Sequence, residues 1–366
     1  MKILAQRETL LPPLMQVTGV VERRQTLPIL SNILINARQN AITLTATDLE
    51  IEMTTTVEAE CSEEGAFTLP ARKLMDICKA LPSGSELILE ISNERATLRS
   101  GKSRFSLGML PAADYPAIEP TPAEQVFTVE ERVLKRLIQK TSFAMAQQDV
   151  RYYLNGMLFE ARPGMIRVVA TDGHRLALSE KAVDLSPDMD IQVIVPRKAV
   201  LELGRLLEDE ERPVKIELSS NHIRFRLDST VFLSKLIDGR FPDYQRVIPA
   251  ESKNELVIDR ETLRQALARA SILSNEKYRG IRFHLQPDVL QLQAHNPEKE
   301  EAEEELTVDY SGSNIDIGFN VGYLLDVLGV LETDQVVIGL NDANSSALIT
   351  GEDEEGDRYV VMPMKL

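Results

Sequence analysis

Asp172-Gly-His-Arg175 is the stretch of this chain best suited to acid–base chemistry, with an imidazole between a carboxylate and a guanidinium. A histidine so placed titrates near neutral pH and could move a proton for a hydrolase or a lyase. The rest of such a site is missing. The sequence contains no nucleophile elbow, no glycine-rich phosphate loop and no His/Cys set at metal-ligand spacing. Cys61 and Cys78 have no such partners either, and two cysteines without a framework predict a reduced, cytoplasmic protein. The acidic run over residues 298–305 offers hard oxygen ligands, but it lacks the glycine turn and spaced Asp/Asn of a calcium loop. It reads as a solvated acidic strand or as the mate of a basic edge. Neither a metal nor a cofactor is expected.

The turn at Asp172 is also not unique. Apolar runs enter and leave a Thr-Asp turn at Thr47-Asp48 and at Thr171-Asp172, and a weaker version contains Asn296 at the same interval. Asp172-Gly-His-Arg175 can therefore be one copy of a structural turn. Repeats of this kind decide the architecture. Residues 195–198 (Val-Pro-Arg-Lys) match 69–73, Tyr153-Leu-Asn matches Leu30-Ser-Asn, and the approach to Tyr244 echoes that to Tyr115. Three units of about 120 residues follow, with boundaries at 1–125, 126–251 and 252–366. Both boundaries are polar and proline-marked, as linkers are.

Each unit reads as helix, three strands, helix, three or four strands. Helices are expected from Arg7, over 69–81 after Pro70, after a capping box at 128–131, and over 261–273 and 320–331. Short alternating strands imply half-buried antiparallel sheets with helices on one face, an α+β class. The C-terminal residues 359–366 read as a final buried strand, and its methionines suit a surface that takes several partners.

Charge is the puzzle. The net charge is −16, and residues 252–366 hold ten Lys or Arg against twenty-two Asp or Glu, or −12 of it. This argues against indiscriminate attraction to nucleic acid, so any such contact must be local or geometric. Local basic faces exist: Arg132, Lys135, Arg136 and Lys140 share one helix face, which predicts a stripe for phosphates, partly repeated by Arg260, Arg264 and Arg269. Hydrophobic residues make up 43% of the chain, but no apolar run approaches the length of a membrane span. The opening residues have too short an apolar stretch for a secretory signal.

Five blocks in register carry a resemblance that covers the chain: 148–157 (Gln-Asp-Val-Arg-Tyr-Tyr-Leu-Asn-Gly-Met), 170–176 (Ala-Thr-Asp-Gly-His-Arg-Leu), 238–244 (Asp-Gly-Arg-Phe-Pro-Asp-Tyr), 273–277 (Leu-Ser-Asn-Glu-Lys) and 359–364 (Tyr-Val-Val-Met-Pro-Met). Together they resemble the DNA polymerase III beta subunit, the bacterial sliding-clamp family. Lys365 departs from a commoner Arg, and Glu22-Arg-Arg24 from a more glycine-like loop.

The resemblance implies a DNA-clamp fold of three repeated domains, each with two helices on antiparallel sheets. It further implies a head-to-tail homodimer, a six-domain ring around duplex DNA that acts as a processivity factor and not as an enzyme. DNA contacts would fall on Arg24, Arg72, Gln148, Tyr152, Tyr153, Arg197, Lys198 and Arg205. A groove for short peptides would use Leu154, Thr171, Gly173, His174, Arg175, Leu176, Pro242, Arg246, Val247, Tyr278, Asn320, Tyr323, Ser346, Val360, Met362, Pro363 and Met364. The seam would set Lys73, Ile77, Arg104, Phe105 and Leu107 against Ile272, Leu273, Glu300, Glu301, Glu303 and Glu304. Partners would be a clamp loader, which alone spends ATP, the polymerase III alpha subunit, and other polymerases or repair proteins. A ring held by topology needs no strong attraction to phosphate, and so accommodates the charge.

Overall fold

A computed structural model of the chain describes residues 1–22, 27–92, 95–118, 121–353 and 355–365. The first repeat runs β1 (Lys2–Gln6), α1 (Arg7–Val20), β2 (Asn32–Arg38), β3 (Ala41–Thr47), β4 (Ile51–Glu58), the two-residue β5 (Glu60–Cys61), β6 (Gly65–Pro70), α2 (Ala71–Ala80), β7 (Glu86–Ser92), β8 (Arg95–Ser100) and β9 (Ser103–Gly108). The second runs β10 (Gln125–Glu130), α3 (Glu131–Thr141), β11 (Gly156–Arg162), β12 (Met165–Thr171), β13 (Arg175–Ala182), β14 (Ile191–Pro196), α4 (Arg197–Leu206), β15 (Pro213–Leu218), β16 (His222–Leu227) and β17 (Thr230–Lys235). The third runs β18 (Asn254–Asp259), α5 (Arg260–Ala270), β19 (Gly280–Gln286), β20 (Val289–His295), β21 (Glu301–Thr307), β22 (Ile315–Asn320), α6 (Val321–Val330), β23 (Gln335–Leu340), β24 (Ala347–Gly351) and β25 (Asp357–Val361).

Every repeat therefore opens with a strand and places a fourth strand before its second helix. The sequence reading missed both positions in its general scheme. The capping box at Thr128 is a misreading for the same reason. Thr128 pairs with Lys215 in the β10–β15 ladder, and the helix starts only at Glu131. The Glu131 carboxylate instead accepts from the Glu208 amide at 2.6 Å and Arg212 Nε at 3.0 Å. A buried acid at a helix N-terminus satisfies donors that the first turn leaves open.

The chain forms two compact units, Met1–Arg132 with Leu201–Leu236, and Val133–Val200 with Ile237–Leu366. The central repeat thus shares its residues between them. The first unit contains a five-stranded sheet ordered β5-β1-β7-β8-β9 and an eight-stranded sheet ordered β10-β15-β16-β17-β4-β3-β2-β6. The second contains an eight-stranded sheet ordered β14-β11-β12-β13-β25-β24-β23-β18 and a four-stranded sheet ordered β21-β20-β19-β22. All pairings are antiparallel. Strands alternate buried and open residues, as in Ile51–Glu58, and α1 lays Leu14 and Val17 against β3 and β4.

Each eight-stranded sheet is made by two repeats, and both joints follow one rule. The last strand of one repeat pairs with the third strand after the first helix of the repeat before it: β17 with β4, and β25 with β13. The registers agree too. Thr230 faces Thr55 at the first joint, and Asp357 faces Ser179 at the second. Each pair is bonded through its side chains, Thr230 Oγ1 to Thr55 Oγ1 at 3.0 Å and Ser179 Oγ to Asp357 Oδ1.

The second joint takes up two of the four cations in the expected phosphate stripe of α3, Arg136 and Lys140. Lys140 is buried, donates to the Val330 carbonyl at 2.7 Å and approaches Asp357, and Arg136 reaches Asp357 Oδ2 at 2.9 Å. Arg132 is held by Glu130 and Glu211, both at 2.7 Å. In the third repeat, Arg260 donates to the Leu328 and Thr333 carbonyls, Arg264 pairs with Glu261, and Arg269 with Glu304. Each of these cations has a partner within the fold. Removing one partner of a buried pair strands the other, so Lys140→Ala is expected to cost about 3 kcal/mol of stability. Chemical denaturation of the variant against the parent measures this.

Candidate partner groove, nucleic-acid face and sheet edges

The turn at Asp172 comes first, because the catalytic reading rests on it. Asp172 Oδ1 accepts from the amides of His174 at 2.9 Å and Arg175 at 3.1 Å, and Thr171 Oγ1 donates to the Arg175 carbonyl at 2.6 Å. The first repeat makes the same bonds: Asp48 Oδ1 accepts from Glu50 and Ile51, and Thr47 Oγ1 donates to the Ile51 carbonyl. A side chain that closes its own turn in this way is committed to structure. Arg175 is equally committed. It bonds Asp172, Asp326 and the Phe143 carbonyl and lies over the rings of Phe143 and Tyr323, 4.5 Å from the latter's centre. His174 is exposed, and its carbonyl accepts from the Met362 amide at 2.9 Å.

What the turn does is shape a cavity of about 150 Å³. Leu154, Thr171, Gly173, Arg175, Leu176, Pro242, Val247, Val360 and Met362 line it, together with Arg151, Tyr153 and Tyr244. Leu176 and Val360 are cross-strand neighbours at the β13–β25 joint. At the other joint the same register pairs Glu52 with Leu233, and the Glu52 carboxylate takes up the Ile118 amide at 3.2 Å. An apolar pair opens an apolar pocket; a carboxylate there ties down a passing chain. Gly173 is required as glycine, because its φ is +89° and a Cβ would stand 2.8 Å from the Arg151 guanidinium. That guanidinium also grips Asp149, whose carboxyl it holds down at about 2. An apolar recess with a few fixed polar groups at its rim is the form of a ligand or peptide site.

The other groove residues stand elsewhere. Tyr278 and Met364 line a separate recess with Asn275, His295 and Pro297. Asn320 caps α6, accepting from Gly322 and Tyr323, and so has a structural role. Arg246 is exposed beside Asp243, and Ser346 and Pro363 are half-buried. The tail is laid down by two bonds, Met362 to the His174 carbonyl and Met364 to the Gly318 carbonyl at 2.8 Å. Sequence reasoning missed Arg151 and Tyr244 as cavity walls and gave Tyr153 to DNA alone. The echo between Tyr244 and Tyr115 was the available signal.

Of the DNA candidates, Gln148, Tyr152, Tyr153, Arg197 and Lys198 lie in the second unit. Residues 145–155 form a braced segment: Arg197 Nη1 donates to the Met145 carbonyl at 3.0 Å, and Asp149 and Asn155 bond each other in both directions. Gln148, at φ +56°, and Tyr152, 58% exposed, project from it, while Arg151 and Leu154 turn to the cavity. Tyr153 meets Tyr152 edge-on but packs against the apolar cluster around Leu176. In the first unit, Arg72 donates to the Val21 carbonyl at 2.7 Å, and Arg205, largely exposed, pairs with Glu202. Arg24 lies outside the described residues.

Two strand edges carry the residues expected at the seam. β9 ends one sheet of the first unit and β21 ends one sheet of the second, and among the described residues nothing pairs with their outer sides. β9 exposes Arg104 and keeps Phe105 half-buried and Leu107 buried. β21 exposes Glu301, Glu303 and Glu305 in alternation with Ala302, Glu304 and Leu306. Ile272, 76% exposed, and Leu273 follow α5, and Lys73 and Ile77 stand on α2. No helix among the described residues is long and apolar enough to cross a membrane.

Comparison with known proteins agrees along the whole chain. The DNA polymerase III beta subunit family matches as its N-terminal domain over residues 1–119, its central domain over 128–243 and its C-terminal domain over 245–365. A beta sliding clamp of Pseudomonas putida is 53% identical over 362 residues, covering 99% of each chain. That of Escherichia coli K12 is 49% identical over 367 residues, covering all of both. Among solved structures, a Pseudomonas aeruginosa DnaN sliding clamp bound to griselimycin superposes with a TM-score of 0.97 at 52% identity, with full coverage of both chains. Caulobacter crescentus pol III beta gives 0.94 at 38%, again over both chains. The three-domain clamp fold, the closing of the Asp172 turn on itself and these matches lead to one conclusion: the chain belongs to the DNA polymerase III beta subunit family and is a DNA sliding clamp, a processivity factor of DNA replication without catalysis of its own.

Proposed function

We propose that two copies of this chain close head to tail into a ring around duplex DNA, β9 of one copy adding to β21 of the other. One observation carries this: the joint that β17–β4 and β25–β13 make twice within the chain leaves over the last strand of the first repeat and the third strand after the first helix of the last, which are β9 and β21. A contact of that kind between copies is heterologous and closes when its rotation does. It also covers two bare edges that would otherwise invite aggregation.

The shared register gives the seam in detail. Ser103 falls opposite Glu304, Arg104 opposite Glu303, and Phe105 opposite Ala302. The faces agree, since Arg104 and Glu303 are both on the exposed side of their strands and Phe105 and Ala302 on the half-buried side. Opposite charges then fix the pairing while Phe105, Leu107, Ile77, Ile272 and Leu273 supply adhesion, with Lys73 facing Glu300 and Glu301 at the rim. Phe105→Cys together with Ala302→Cys is expected to give a disulfide-linked dimer on oxidation, visible on a non-reducing gel. The pair Phe105→Cys and Glu304→Cys, out of register, should not. The reverse result refutes the register. The native thiols do not compete: burial pushes Cys78 up to about 11 and Cys61 upward as well.

In this reading the three domains are 1–125, 126–251 and 252–366, and the chain works in the cytoplasm. Arg24, Arg72, Gln148, Tyr152, Tyr153, Arg197, Lys198 and Arg205 meet the duplex, without sequence preference. The cavity at Leu176 and Val360 takes the apolar anchors of short extended peptides from the polymerase III alpha subunit, other polymerases and repair proteins, and the clamp loader. The recess at Tyr278 and Met364, with His174, Arg246, Asn320, Tyr323, Ser346 and Pro363, takes the remainder of the peptide. Griselimycin, bound by the Pseudomonas aeruginosa relative, is proposed to fill the same cavity here.

A further inference from the structure

We propose that a row of polar and charged side chains behind the groove, centred on the buried Glu160 and on Arg167, positions the groove wall through the hydroxyl of Tyr244. This rests on the reading of the cavity as the partner site. Tyr244 lines the cavity with its ring and is 5% exposed, on a short turn between Pro242 and Val247, which line it too. Its hydroxyl donates to Glu160, 1% exposed, and accepts from Arg167 Nη1 at 2.8 Å. Arg167 Nε in turn holds Glu180 at 2.6 Å, and Gln192 Nε2 donates to Glu160 at 3.2 Å.

These side chains form a line and not a scatter. Gln192 faces Glu160, Glu160 faces Arg167, and Arg167 faces Glu180 across four adjacent strands, β14, β11, β12 and β13. The two middle members of the line, Glu160 and Arg167, hold the tyrosine of the turn that Pro242 and Val247 flank. The first repeat has the same tyrosine, Tyr115, but holds its hydroxyl by the backbone of Asn32, Thr45 and Thr47. A buried carboxylate such as Glu160 is costly to place in a core and gains little stability over apolar packing, whereas it fixes a geometry well when its oxygens are bonded. A tyrosine latched by charge only where the cavity lies points to positioning. Glu160 and Arg167 touch no bound peptide; they act through Tyr244.

Calorimetry of griselimycin binding to the intact protein tests this. Tyr244→Phe removes only the hydroxyl, and Glu160→Ala removes the acceptor. Each is expected to raise the dissociation constant about tenfold, the scale of a lost hydrogen bond to a charged group. Glu160→Gln keeps an acceptor for the hydroxyl and is expected to restore binding to within about threefold. A merely structural role would lower the unfolding temperature of Glu160→Ala and leave binding unchanged in Tyr244→Phe. Wild-type affinity in a folded Tyr244→Phe protein overturns the proposal. Absence of griselimycin binding to the wild type overturns the cavity reading beneath it, and is distinct from that outcome.

Discussion

Arg104→Glu is expected to turn the dimer into a monomer at micromolar concentration, and Glu303→Arg in the same chain to restore it. In the proposed seam, with the register of the two internal joints, these residues would be direct cross-strand neighbours on the exposed face. Like charges placed opposite each other at an interface cost several kcal/mol, so the dissociation constant of the single variant should rise at least about a hundredfold. The double variant exchanges the signs and keeps the pair. Arg104 lies on an edge strand and points outward, so neither change disturbs a packed core. Analytical ultracentrifugation over a dilution series reads both. A monomer in both single and double variants would mean that Arg104 contributes something other than this pair. A dimer in all three would move the seam away from β9.

Val247→Asp carries the other large effect. Val247 is half-buried on the cavity wall, so the fold accepts the change, but the carboxylate then stands where an apolar anchor would seat. Leaving a charge under an apolar group forfeits the anchor and adds a desolvation cost, and a loss of partner-peptide or griselimycin affinity of about a hundredfold is expected. Dimer mass and retention on DNA should be unchanged. Unaltered binding in a correctly folded Val247→Asp protein would place the partner site elsewhere, with the recess at Tyr278 and Met364 as the next candidate.

Much of this was legible in the residues, for reasons that differ from part to part. The repeat was legible because a Thr-Asp turn closes on itself through its own side chains, so the same few residues must recur wherever the turn does. The joints were not. Strand pairing between repeats is non-local, and nothing in the stretch around Ser179 names Asp357 as its neighbour. The basic stripe on α3 lost two of its four cations for that reason. Periodicity shows that Arg136 and Lys140 share a face, but not that Asp357 awaits them, buried, on another strand. Glu131 misled in the same way: a Thr three residues before a Glu is a capping box only if the backbone leaves the strand at the Thr, and tertiary pairing with Lys215 kept it extended. The catalytic reading of Asp172, His174 and Arg175 dissolved once the Asp48 turn showed the same bonds without any histidine.

The cavity was half legible. The resemblance supplied Leu176, Val247 and Val360, but Tyr244 and Arg151 came from geometry. The Tyr244 hydroxyl is bonded by Glu160 and Arg167 from two neighbouring strands, and no single segment encodes such a contact.

Retention on DNA tests the central claim most directly. The protein is loaded with its matching loader and ATP onto closed circular duplex, and half the sample is then linearised. A ring held by topology stays on the circles and leaves quickly through the cut ends, and that is the expected result for a chain of net charge −16. Equal retention on circles and linear DNA would mean that ordinary affinity holds the protein, and would contradict the ring.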